Sequence, residues 1–192
     1  MLAFLLIVGG LLMTLSAPPT LVSDAHAEGG LLLTDFATDR GDLDWYVMND
    51  NVMGGRSEGT FKIEQGVLHF AGSTNTRGGG FSSIRTTPTK VDLSEFEGIR
   101  LRIRGDGRRY TWRLATNARW RGRQIGYWAD FDTEDGTWTT VEIPFSQFIP
   151  RYRGTRLDGP ALEPGQITDM GLMIYDKLDG PFELRLASVA AY

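Results

Sequence analysis

From Leu31 onward, apolar residues recur at every second position in short runs, each closed by a turn. The clearest run sets Ile99, Leu101 and Ile103 against Arg100, Arg102 and Arg104. A period of two puts the aliphatics on one face of a strand and the guanidinium groups on the other. After the turn Gly105-Asp106-Gly107, Tyr110, Trp112 and Leu114 share a face opposite Thr111 and Arg113. The pattern continues through 124–132 and 137–145, around Glu134-Asp135-Gly136, with Pro144 marking an edge or a strand end. Upstream, 31–36 reads as a strand, and 59–64 with 67–71 as a hairpin around Gln65-Gly66. The run 80–86 stops before Pro88, and 92–96 reads as a turn or short helix. The longest irregular stretch is 154–165, after which 166–175 and 182–189 close the chain. About nine or ten strands and no convincing amphipathic helix predict an all-β sandwich or barrel.

The first residues follow another pattern. Met1 to Leu15 is almost wholly apolar and leads through Pro18 and Pro19 to Ala25-His26-Ala27. This reads as a secretory signal peptide, cleaved after Ala27, leaving 28–192 as one domain. The run is shorter than the roughly 20 residues a membrane-spanning helix needs. It has no Lys or Arg before the apolar run, so an uncleaved N-terminal anchor is the alternative. The expected location is exported, periplasmic or extracellular, with no transmembrane span after cleavage.

Composition narrows the chemistry. The 192 residues carry a formal net charge of −4 and no Cys, which excludes disulfides, thiolate nucleophiles and cysteine metal sites. Arg supplies 17 of the 20 bases, and twelve of these lie between Arg100 and Arg156 against six acids. The middle is therefore basic within an acidic protein. It reads either as solvated strand faces or as a surface for an acidic partner. The acidic balance and expected export argue against nucleic acid.

Of two His, His26 falls in the signal segment, so His69, within a strand, is the one imidazole left for catalysis. It reads as structural. Asp130, Asp132, Glu134 and Asp135 crowd a Gly turn and read as solvated acids rather than a glycosidase pair. No enzyme activity is expected. The Gly-rich segments 53–57 and 77–81 match no Walker loop and read as tight turns. No cofactor is expected; calcium fits loop oxygens in general, but no EF-hand pattern supports it. Trp112, Trp128 and Trp138 are expected in the core. Trp120, among Arg119, Arg121 and Arg123, reads as a contact residue.

Several stretches together resemble a known family. They are Asn49-Asp50-Asn51-Val52-Met53-Gly54-Gly55-Arg56-Ser57, Gly79-Gly80-Phe81-Ser82-Ser83-Ile84-Arg85 and Gly105-Asp106-Gly107-Arg108-Arg109-Tyr110. Trp138 to Phe145, Gly171 to Ile174, Asp176-Lys177 and Gly180 to Leu184 complete the set. In this order they resemble the complex I intermediate-associated protein 30 domain, an assembly-factor domain of NADH:ubiquinone oxidoreductase. The likeness runs from about Leu33 to Tyr192. It implies a galactose-binding-like jelly roll and a non-enzymatic, chaperone-like role in assembling a membrane complex. The family's eukaryotic members work inside mitochondria, and the N-terminal segment departs from that.

A protein partner, a membrane-complex subunit, is therefore the expected ligand. The candidate contacts are Asn49, Asp50, Met53, Gly54, Gly55, Arg56, Arg108, Arg109 and Trp120. The three arginines would donate hydrogen bonds to partner carboxylates or carbonyls. Asn49 and Asp50 read equally well as residues that hold their own loop. The alternative function is a carbohydrate-binding module, with a glycan as partner, by analogy of fold.

Overall fold

The computed structural model describes residues 30–37 and 43–192; the expected signal segment and its expected cleavage site lie outside the described residues. The described chain forms thirteen strands: β1 (Leu31–Thr34), β2 (Trp45–Asn49), β3 (Glu58–Glu64), β4 (Val67–Thr74), β5 (Ser82–Thr86), β6 (Gly98–Arg104), β7 (Arg109–Trp120), β8 (Arg123–Asp132), β9 (Trp138–Pro144), β10 (Ile149–Tyr152), β11 (Thr155–Arg156), β12 (Ile167–Ile174) and β13 (Gly180–Ala191). Three short 3-10 turns, at Asp50–Met53, Phe145–Gln147 and Pro164–Gln166, are the only helical pieces among the described residues.

Two antiparallel sheets face each other, as the period-two pattern requires. One runs β3-β4-β13-β6-β9, with β1 pairing the far end of β13; the other runs β11-β10-β8-β7-β12-β5-β2. The second sheet joins the hairpins β7–β8 and β10–β11 to β12, β5 and β2, strands distant in sequence, so the chain crosses between sheets repeatedly. This is the jelly-roll sandwich that alternation and resemblance predict.

Between the sheets lie Ile99, Leu101 and Ile103 from β6, and Tyr110, Trp112 and Leu114 from β7, all buried. On β13 the inward positions switch from Leu184 and Leu186 to Val189 and Ala191. A bulge between Leu186 and Ser188 causes the switch, since one extra residue inverts the alternation.

Thirteen strands exceed the nine or ten expected. β2 was not legible because Trp45-Tyr46-Val47-Met48 is apolar on both faces and shows no alternation. Pro150 and a two-residue partner hide β10 and β11. Trp112 is core as expected, at 0% exposure. Trp128 and Trp138 are not: both are half-buried on outer faces. Trp138 pairs with Arg104 and packs beneath the Arg102 guanidinium, while Trp128 pairs with Arg113.

Candidate functional site

Asp50 organises one end of the sandwich. It follows β2, is fully buried, and accepts hydrogen bonds from the Ser57 amide (2.8 Å), the Ser57 hydroxyl (2.7 Å), the Gly80 amide (2.6 Å) and the Phe81 amide (3.3 Å). Both Gly-rich segments thus close on one carboxylate. Gly55 and Gly79 are required there, because a Cβ at either would collide with the Asp50 side chain. Asn49 braces the same corner, donating to the Gly59 carbonyl and accepting from the Ser82 hydroxyl. Of the two readings open for Asn49 and Asp50, the structure gives loop support.

Burial pushes the Asp50 carboxyl up, but the bonds from Ser57, Gly80 and Phe81 outweigh it and hold the group below its ordinary value. A carboxyl lowered on folding adds stability that is present above the ordinary aspartate value of about 3.9 and lost as pH falls through the folded value. Asp50→Asn is expected to cost about 2 kcal/mol at neutral pH, the scale of a hydrogen bond to a charged group. It should also flatten the loss of stability below the ordinary value. Denaturant titrations at several pH values check both.

The turn that follows Asp50 carries Val52 (66% exposed) and Met53 (57% exposed), and Gly54 ends it at φ +84°. Arg56 is exposed beyond it. The other expected arginines stand elsewhere. Arg108 is spent inside the fold: its guanidinium makes a bidentate pair with Asp176 (2.8 and 2.7 Å) and donates to Thr74 Oγ1 and to the carbonyls of Leu178, Gly180 and Pro181. It has no donor left for a partner, which corrects its assignment as a contact. Arg109 is exposed but paired with Asp132 at 2.7 Å. Trp120 is half-buried, tilted against Tyr152 (5.9 Å) with the Arg121 guanidinium 4.5 Å from its ring centre. It supports the β7–β8 hairpin rather than standing free.

The site that sequence reasoning missed lies on the outer face of the seven-stranded sheet. Strand register sets Tyr46, Arg85, Gly171, Arg113 and Trp128 in one row across β2, β5, β12, β7 and β8. The next row holds Met48, Ser83, Met173, Thr111 and Asp130. The walls are the Val52-Met53 turn on one side and Tyr152, Arg153 and Gly154 on the other, enclosing a cleft of about 750 Å³. Of the nine expected contacts, only Met53 lines this cleft.

Two features define its chemistry. Phe81, Tyr175 and Trp128 form an edge-to-face ladder, with centroid distances of 6.3 and 6.0 Å. The Arg113 and Arg151 guanidiniums lie 5.3 and 5.4 Å from the Trp128 ring centre. The lining combines guanidinium, aromatic and thioether groups and contains no His, Ser, Asp or Glu.

The groups considered for catalysis are not among the residues that line the cleft. His69, on β4, pairs with Lys62 and Arg185 on the neighbouring strands, and burial together with those two charges lowers its pKa. Asp130 accepts from the Thr111 hydroxyl at 2.6 Å, and Asp132 holds Arg109. Among the described residues no cluster of three His, Cys, Asp or Glu is placed to hold a metal ion.

Comparison with known proteins places the chain. The family model described as Complex I intermediate-associated protein 30 matches residues 34–186. The mouse protein named "Complex I intermediate-associated protein 30, mitochondrial" is 29% identical over 174 residues, which is 79% of this chain and 53% of that protein. The Drosophila melanogaster protein of the same name is 27% identical over 74% of this chain and 56% of its own length. A Schizosaccharomyces pombe protein, "Uncharacterized protein C9E9.15", is 30% identical over 77% of each chain. The chain thus spans about half the length of the mouse and fly relatives.

Among solved structures, the Family 11 Carbohydrate-Binding Module from Clostridium thermocellum, in complex with a β-1,3-1,4-mixed-linked tetrasaccharide, superposes with a TM-score of 0.62 at 18% identity. That match covers 85% of this chain and 95% of the module. At this identity the likeness shows the shared fold alone. The mitochondrial designation of the mouse and fly relatives overturns the expected exported, periplasmic or extracellular location. An apolar N-terminal run and an A-x-A site, the features behind that expectation, do not by themselves name a compartment. With a family model matched from 34 to 186, the chain belongs to the Complex I intermediate-associated protein 30 family.

Proposed function

We propose that this protein is a non-catalytic binding protein that assists assembly of a membrane-associated respiratory complex of the NADH:ubiquinone oxidoreductase type. The observation that carries the reading is the family match across residues 34–186, nearly the whole described sandwich. The cleft supports it, since its lining offers binding groups rather than a reacting pair. Its partner is a subunit of that complex, held during assembly and then released.

Deleting the gene in its own cells tests this. The expected result is loss of mature NADH:ubiquinone oxidoreductase, with subassemblies accumulating on native gels. A tagged copy should restore the complex and co-migrate with a subassembly. An unchanged level of mature complex, with the tagged chain migrating alone, would refute the proposal. A second reading, glycan binding, is favoured by one observation: Trp128, Tyr152 and Tyr175 line an open cleft. Retention of the chain on a polysaccharide matrix, lost in Trp128→Ala, is the outcome that reading requires.

A further inference from the structure

The cleft floor contains two guanidinium groups that Asp169 and Tyr46 counter only in part. Arg85 and Arg113 face each other across Gly171, the residue that pairs with both of them on β12. A side chain at Gly171 would press on Arg85 and on the Ile84 carbonyl, so its absence makes room for the two arginines. The Nε atoms of both are sealed from solvent without a hydrogen-bond acceptor, and so is that of Arg151 nearby. Among the described residues, neither Arg85 nor Arg113 has an ion-pair partner within 4 Å.

Burial, and then the like charge of Arg85, pull the Arg113 pKa down to about 9, with Asp169 and Tyr46 opposing. Burial likewise lowers Arg85, partly countered by Tyr46 and Asp169. At neutral pH both remain charged. Cations that repel one another, with Nε atoms sealed off from any acceptor, cost free energy unless an anion joins them. Arg151 and Arg153 add two more cations to the same lining, which has no acid. Arg108 on the same protein shows the contrast: there Asp176 and three carbonyls satisfy the guanidinium.

We infer that this cleft is an oxyanion-binding site: Arg85 and Arg113 grip a carboxylate or phosphate group while Trp128, Tyr175 and Phe81 take the apolar body that carries it. Guanidinium forks bind both oxyanions in bidentate geometry, and the aromatic ladder gives the body a flat apolar wall. The inference goes beyond the assembly reading and stands without it, because it rests on the cleft alone.

Titration calorimetry of the purified full chain tests it at fixed ionic strength, with phenyl phosphate, benzoate, inorganic phosphate and a neutral glucan tetrasaccharide as probes. Phenyl phosphate or benzoate is expected to bind saturably, with quenching of tryptophan fluorescence, and the preferred one of the two identifies the oxyanion. Arg113→Met and Arg85→Met should each weaken that binding about 10- to 100-fold, the scale of a lost charge-assisted hydrogen bond. Because Arg113→Met removes an unsatisfied buried charge, its unliganded melting temperature should equal or exceed that of the parent. No saturable binding of either aryl anion would overturn the inference. So would anion binding unchanged in both variants, or binding of the neutral tetrasaccharide alone. If Arg113→Met does not fold, Arg85→Met and the thermal shift of the parent with phenyl phosphate decide: no shift overturns the inference.

Discussion

Arg108→Ala is expected to destabilise the fold by about 3–5 kcal/mol, the scale for removing one partner of a buried ion pair. The side chains of Arg108 and Asp176 are only 12% and 5% exposed, so alanine leaves Asp176 charged and largely out of water. It also strips donors from Thr74 and from the carbonyls of Leu178, Gly180 and Pro181, which tie β4, β7 and the β12–β13 connection together. Arg108→Lys keeps the charge but loses the fork and should fall between parent and alanine. The double substitution Arg108→Met with Asp176→Leu should recover part of the loss, because it removes both buried charges. Urea midpoints of the four proteins check this ordering. A loss below 1 kcal/mol in Arg108→Ala would return Arg108 to the role of a surface contact.

Trp112→Ala should be comparably severe, about 3–5 kcal/mol, the range for emptying a large aromatic site in a packed core. Trp112 is fully buried at the centre of the seven-stranded sheet and packs edge-on against Trp45, 6.5 Å away. Trp112→Phe should cost far less, about 1 kcal/mol, since the indole N–H has no acceptor to lose and a ring still fills most of the space. Equal losses in the two variants would mean that the indole nitrogen has a partner after all.

The fold was legible because alternation is a direct consequence of the pleat. Ile99 to Arg104 and Tyr110 to Leu114 fall on the faces their positions demand. Alternation says which residues share a face, not whether that face is wet. Arg113 was read correctly as opposite Trp112, yet its face is the floor of a cleft rather than solvent. Trp128 was assigned to the core for the same reason, since an apolar residue in a strand carries no mark of which side is covered. The signal that was available is β2, whose residues are apolar on both faces. Arg85 and Arg113 stand 28 positions apart in sequence, and only their shared register with Gly171 unites them.

The loop residues taught the opposite lesson. Asp50 and Gly55 belong together in a motif because one carboxylate holds both Gly-rich turns, so the motif marks the architecture around the cleft as well as supplying Val52 and Met53 to its wall. Arg108 belongs to the same class: beside Gly105-Asp106-Gly107 it forms the clamp on Asp176.

A photo-reactive residue placed at Val52, exposed at the cleft mouth, gives the most direct test of the role proposed for this protein. Irradiated in the membranes of its own cells, the full chain should yield an adduct with a subunit of an NADH:ubiquinone oxidoreductase subassembly, identified by mass spectrometry. Adducts with no subunit of that complex, while the chain itself remains folded and abundant, would contradict the assignment.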